Sequence, residues 1–263
     1  MDMGVADKVV LVQAATRGLG FAVARAFAQE GARVVITGRN QSRMAEAVAE
    51  LESLTDKEHV LGVLCDLSLP GDIDALFETI EQSWGGVDVL INNAGGPPKG
   101  DFLDFSDGDW EEAFSSCLMS MIRSVRHVLP HMRSQRWGRI VNIASSSIRQ
   151  PIEGLILSNT FRAGILGLAK SLAVELAPIN ILVNTLGPGR IATDRVRSLD
   201  QSDAAAAGIS VADVQKRWHE KIPMGRYGEP DEFAAVALFL GSAVNGYVTG
   251  QALLVDGGMV RSL

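Results

Sequence analysis

The stretch Gly138–Lys170, GRIVNIASSSIRQPIEGLILSNTFRAGILGLAK, decides the fold. Its apolar run Ile140 to Ile143 is short and β-branched, as a buried strand requires. Three serines follow, Ser145, Ser146 and Ser147, and from about Leu157 the chain becomes a long apolar helix. A polar residue at the carboxyl end of a buried parallel strand sits where open α/β sheets bind ligands. Ser145 is therefore the first candidate site residue.

Working outward, the same alternation recurs. Strands are expected at Lys8–Gln13, Arg33–Thr37, Val60–Cys65, Val87–Ile91, Ile179–Leu186 and Ala252–Val255. Helices are expected from the Ala14–Gly20 turn to about Glu30, then over Ser42–Leu54, Pro70–Trp84, Asp107–Arg133 and Pro230–Leu240, with Asp107 as a cap. Gly187-Pro188-Gly189 is expected to break out of the sheet. Arg190–Arg226 reads as a polar insertion of two helices. The pattern predicts an α/β fold: one Rossmann-type domain over residues 1–263, a doubly wound parallel sheet of about seven strands, helices on both faces, and a substrate lid at about 190–226.

Composition narrows the function. A net charge of −7 argues against non-specific binding to nucleic acid or an anionic membrane. The two cysteines, Cys65 and Cys117, are not at metal-ligand spacing, so no metal site and a reduced compartment are expected. The start MDMGVADKVV lacks the basic and long apolar segments of a signal peptide. No stretch reaches the length of a membrane span. A cytoplasmic protein is expected.

The glycine turn, the serine strand and the helix after it resemble the short-chain dehydrogenase/reductase family, over roughly Ala6 to Gly258. That family carries a serine, then a Tyr-x-x-x-Lys pair thirteen residues on. Here Ser145 matches the serine, while Ser158 stands at the tyrosine position and Arg162 at the lysine position. Counting back from Leu129-Pro130-His131-Met132, Cys117 stands where the family has an asparagine. The stretch Leu157-Ser158-Asn159-x-x-Arg162-Ala163-Gly164, with Ala14 for the first glycine, is similar to a bacterial subset called 3-oxoacyl-acyl-carrier-protein reductase-like.

The cofactor half follows the family's Gly-x-x-x-Gly-x-Gly spacing in the turn Ala14-Ala15-Thr16-Arg17-Gly18-Leu19-Gly20, with alanine in the first glycine's place. Glycines there let backbone N–H groups approach a pyrophosphate at a helix N-terminus. A tight turn with no ligand is the alternative reading. Arg17 and Arg39 lie where an arginine accommodates the 2′-phosphate, which favours NADP(H) over NAD(H); a solvated surface charge is the alternative for each. The resemblance further implies that Asp66 and Leu67 face the adenine. It places Asn93, Ala94 and Gly95 at the sheet end, and Pro188, Gly189 and Thr193 on the nicotinamide side. Arg162 would hold the nicotinamide ribose.

The resemblance implies hydride transfer between NADP(H) and a ketone or secondary alcohol, with Ser145, Ser158 and Arg162 as the catalytic set. A serine hydroxyl is a far weaker acid than a phenol. Arginine stays protonated, so Arg162 can donate to hydroxyls or stabilise an oxyanion but cannot relay a proton. The proton must then come from water, Ser158 or a lid group such as His219. Bland readings stand beside these: Ser158 as a helix N-cap, Cys117 as a small buried residue, His219 and Glu153 as surface groups. A lyase or isomerase on the same scaffold, or an inactive binding or regulatory subunit, are the alternative functions. Arg190, Arg195 and Arg197 read either as a reception for an acidic substrate, such as an acyl thioester carrier, or as a solvated helix face. By resemblance, Trp110–Met132 and Leu157–Leu176 are the helices that would build a homodimer or homotetramer.

Overall fold

The computed structural model describes residues 2–262. Seven strands form one parallel sheet: β1 (Val9–Val12), β2 (Arg33–Gly38), β3 (Val60–Leu64), β4 (Val89–Asn92), β5 (Gly138–Ile143), β6 (Ile181–Pro188) and β7 (Ala252–Val255). Their order is β3-β2-β1-β4-β5-β6-β7, so the direction of winding reverses between β1 and β4. The crevice beyond the carboxyl ends at such a reversal is the ligand-binding position of open α/β sheets.

Among the described residues nine α-helices flank the sheet: α1 (Gly18–Gln29), α2 (Gln41–Glu52), α3 (Pro70–Trp84), α4 (Asp107–Phe114), α5 (Ser120–Gln135), α6 (Ile156–Leu176), α7 (Asp194–Ala207), α8 (Val211–Lys221) and α9 (Pro230–Gly241). Alternate residues of a strand point to opposite faces. Val10 and Val12 accordingly join Phe27, Ile36, Phe233 and Leu240 in one core, and Val9 and Leu11 join Ile73, Val128, Ala173 and Val183 in the other. Because helices cover both faces, the strands read as continuous apolar runs rather than alternating ones. No helix among the described residues is long and apolar enough to cross a membrane.

Several boundaries differ from expectation, each for a local reason. The cap of α4 is Ser106, not Asp107: its hydroxyl faces the Asp109 N–H while the Asp109 carboxylate accepts from the Ser106 N–H at 2.8 Å. The long helix expected from Asp107 is interrupted by a π-turn at Ser115–Met119. Strand β4 starts at Val89 rather than Val87, because the Asp88 carboxylate takes the Val9 N–H at 3.0 Å in place of a ladder partner. A 3₁₀ turn at Ala177–Ile179 delays β6 to Ile181. The far end of β6 runs further than expected: Gly187 and Pro188 stay in register with Leu254 and Val255.

Residues 190–229 leave the sheet and carry α7 and α8. The excursion has a polar centre. Asp200 is fully buried, accepts from Arg190 at 2.9 Å and takes the Tyr227 hydroxyl at 3.0 Å. The Arg190 guanidinium lies 3.9 Å from the Trp218 ring. Burial and the adjacent Asp200 charge push the Tyr227 phenol well above its ordinary range.

Candidate functional site

The glycine turn is assembled by neighbours from β2 and β4. The Thr37 hydroxyl accepts the Ala14 N–H at 2.9 Å, and the Thr37 carbonyl accepts the Ala15 N–H at 2.8 Å. From the other side, the Asn93 amide donates to the Gln13 and Ala14 carbonyls at 3.1 and 3.2 Å. This clamp holds Ala14 at φ +46°, the left-handed region that disfavours a side chain. Ala14→Gly is therefore expected to raise stability by about 0.5–1 kcal/mol, after the added freedom of the unfolded chain is subtracted; the urea midpoint checks it. Gly18 also sits at positive φ, +61°, and opens α1 with no side chain capping the helix. A Cβ on Gly20 would come within 2.8 Å of both the Ala14 carbonyl and the Asn93 amide. Leu19 packs against the core beneath.

Arg17 and Arg39 stand beside this turn, both largely exposed. Arg17 lies 3.6 Å from Asp194, and Arg39 lies 3.4 Å from Asp66. Burial opposes the Asp66 charge, yet the Ser68 N–H and hydroxyl and the Arg39 guanidinium hold its carboxyl below the usual range. Leu67 beside it is buried. A groove of about 420 Å³ is lined by Thr16, Arg17, Arg25, Glu46, Thr193 and Arg197 among others; Ser145, Ser158 and Arg162 do not line it. Thr193 caps α7 and comes within 3.9 Å of a Cβ built on Gly18, so the start of the excursion meets the turn. Gly189 stays tied to the last strand through its N–H, which donates to Val255 at 2.9 Å.

The second half of the site surrounds β5. The Ser145 Oγ accepts the Ser147 N–H at 3.1 Å, which leaves its own proton free to donate. The Ser147 hydroxyl is buried and has no hydrogen-bond partner among the described residues. Ser158 and Arg162, one turn apart on α6, share a face and are both buried. Ser158 lies within the first turn of α6 rather than at its cap, which is Leu155, so the capping reading does not hold. Helix α6 packs on the Ser146–Ile148 turn and on the π-turn. Arg162 donates to the Ile143 carbonyl at 2.8 Å and to the Ala94 carbonyl at 3.4 Å, hooking the ends of β5 and β4 together. Burial pushes its guanidinium below the usual arginine range; the nearby Cys117 opposes this and the Arg195 charge adds to it.

Cys117 is buried in the π-turn, as the bland reading expected. His219 is exposed on α8 and packs edge-on against Tyr227, with ring centroids 5.1 Å apart. Glu153 is exposed. Tyr247 is 98% exposed before β7, and Tyr227 is engaged by Asp200. One contributor went unread in the sequence: the Thr37 hydroxyl, taken only as the end of a strand; Arg195 was read there only together with Arg190 and Arg197.

Comparison with known proteins bears on the family and the fold. The family model described as Enoyl-(Acyl carrier protein) reductase matches residues 13–260. The chain is 40% identical over 261 residues to the 3-oxoacyl-[acyl-carrier-protein] reductase FabG of Aquifex aeolicus, covering 98% of this chain and 100% of that protein. It is 34% identical to human dehydrogenase/reductase SDR family member 4, over 96% of this chain and 87% of the relative. Among solved structures, L-sorbose reductase from Gluconobacter frateurii, complexed with NADPH and L-sorbose, superposes with a TM-score of 0.94 at 32% identity, covering 100% of both chains. Likeness of this extent in sequence and in structure allows one assignment: the chain belongs to the short-chain dehydrogenase/reductase family of oxidoreductases.

Proposed function

We propose that the protein is an NADP(H)-dependent oxidoreductase that interconverts a ketone and a secondary alcohol, with Ser158 and Arg162 in place of the family's tyrosine and lysine. The observation that carries this reading is the cradle at the amino end of α1. Gly18 is left-handed, Gly20 has no room for a side chain, and two exposed guanidiniums, Arg17 and Arg39, stand beside them. Each has only an exposed and long ion pair, of a kind worth little, so each is free to turn to a phosphate. The cradle fits a dinucleotide: Ala14–Gly20 against the pyrophosphate, Arg17 and Arg39 against the 2′-phosphate, Asp66 and Leu67 near the adenine, and Asn93, Ala94, Gly95, Pro188, Gly189 and Thr193 around the nicotinamide half. Bound there, NADP(H) supplies or takes the hydride.

The chain's own residues then divide the work. The free Ser145 proton donates to the substrate oxygen. The Arg162 guanidinium offers donors to the ribose or to a developing oxyanion. In reduction the carbonyl carbon gains a C–H bond, the π pair moves onto oxygen, and that oxygen takes a proton. The buried Ser158 hydroxyl, which has no protein partner among the described residues, passes this proton from water. Helices α7 and α8 serve as the substrate lid of a single Rossmann domain. Exposed Phe102, Leu103 and Phe114 support assembly into a dimer or tetramer through the stretches Trp110–Met132 and Leu157–Leu176, which span α4 to α6. Free, buried cysteines accord with a cytoplasmic setting.

The test is a titration with NADPH and with NADH, followed by cofactor fluorescence and by energy transfer from the four tryptophans. NADPH is expected to bind the more tightly. Arg17→Glu combined with Arg39→Glu is expected to weaken NADPH roughly 100-fold, the loss of two hydrogen bonds to a charged group. NADH binding should change little. Binding of neither nucleotide would sink the redox reading.

A further inference from the structure

The excursion carries three arginines close in sequence, and the structure separates them. Arg190 is neutralised by Asp200 and Asp203. Arg197 is paired with Asp194. Arg195 has no carboxylate partner among the described residues; its Nη2 donates instead to the Pro97 carbonyl at 3.0 Å. The same atom stands 3.4 Å from where a Cβ on Gly96 would lie, so glycine leaves the space beside the guanidinium open.

Arg162 hooks the other end of that segment, through the Ala94 carbonyl. Two guanidiniums, one from α6 and one from α7, thus grip the four residues Ala94–Pro97 that leave β4. Arg162 likewise has no acidic partner among the described residues, and two of its five N–H groups are used on backbone carbonyls. The three acids of α7 are occupied. Asp194 is shared by Arg17 and Arg197, Asp203 by Lys99 and Arg190, and Asp200 by Arg190 and Tyr227. The mutual repulsion is felt, since the Arg195 charge helps to depress Arg162. In a chain of net charge −7, two uncompensated cations meet at the carboxyl edge of the sheet, beside Ser158. Such a pair lacks only the anion that would balance it.

We infer that Arg195, with Arg162 behind it, receives the carboxylate of an oxo-acid substrate, so that the protein acts on oxo acids and hydroxy acids in preference to neutral ketones. The inference rests on the reductase reading for the word substrate, but the anion site itself does not depend on turnover. Arg195 is exposed on the first turn of α7, placed to close on a ligand already seated over Gly96.

The test is calorimetric titration of the NADP⁺-saturated protein, and separately of the nucleotide-free protein, with pyruvate and acetoacetate, each beside its neutral amide. The acids are expected to bind about tenfold or more tightly than the amides. Arg195→Gln should abolish the preference, while Arg217→Gln, on the exposed face of α8, should keep it, with NADP⁺ affinity unchanged in both. Equal binding of acid and amide, binding of neither, or a preference that survives Arg195→Gln overturns the inference. Failure of NADP⁺ to bind, with the acid preference intact in the nucleotide-free protein, would instead sink the hydride-transfer reading and leave the anion site standing.

Discussion

Ser145→Ala is expected to lower kcat for carbonyl reduction about 100-fold or more, the usual loss when one donor to a developing oxyanion is removed. The Ser145 proton has no acceptor among the described residues. The Ser145 Oγ accepts from the Ser147 N–H, so its own O–H has no competing acceptor. The structural cost is small, because the lost bond caps only a three-residue turn; roughly 1 kcal/mol is expected. NADPH affinity should be nearly unchanged. Single-turnover kinetics beside a fluorescence titration separates the two effects. A variant that keeps its turnover would place the chemistry elsewhere.

Gly20→Val should do the opposite and remove nucleotide binding outright. Its Cβ would sit 2.8 Å from the Ala14 carbonyl and 3.0 Å from the Ala15 Cα, and both are backbone atoms of the turn itself. Neither can yield without disturbing the Thr37 and Asn93 hydrogen bonds that shape the turn. Overpacking at a site this rigid costs about 3 kcal/mol. The expected result is loss of NADPH binding together with a lower urea midpoint, and Gly20→Ala should fall between that variant and the wild type. Full NADPH affinity in Gly20→Val would show that the nucleotide is not held at this turn.

Much of the fold was legible because its strands are continuous apolar runs bounded by small or polar residues. VVLV, RVVITG and GRIVNI could hardly be anything but buried parallel strands once helices alternated with them. The misses were of a different kind. Ser106 and Asp107 are both good caps, and only the position of the Asp109 carboxylate chooses between them. The π-turn at Ser115–Met119 leaves no mark in an apolar pattern whose period it shifts by a single residue. Arg190, Arg195 and Arg197 look equivalent in the sequence, and become different only when Asp200 and Asp203 fold back onto one of them. The left-handed state of Ala14 could be posed as a question from the glycine spacing, but the Thr37 and Asn93 bonds that impose it come from other strands.

The π-turn also bears on which length changes this gene could tolerate. It holds one residue more than an α-helix needs, and each residue of a helix advances the chain by about 100° around the axis. Deleting a single residue such as Ser116 would let α4 and α5 merge into one regular helix, which is locally comfortable. The same deletion would rotate Trp110 and Phe114 away from Phe161, which they now face with ring centroids 5.9 Å apart. A one-residue deletion here should therefore be far more damaging than one in the exposed turn between α7 and α8, although both leave the sheet untouched.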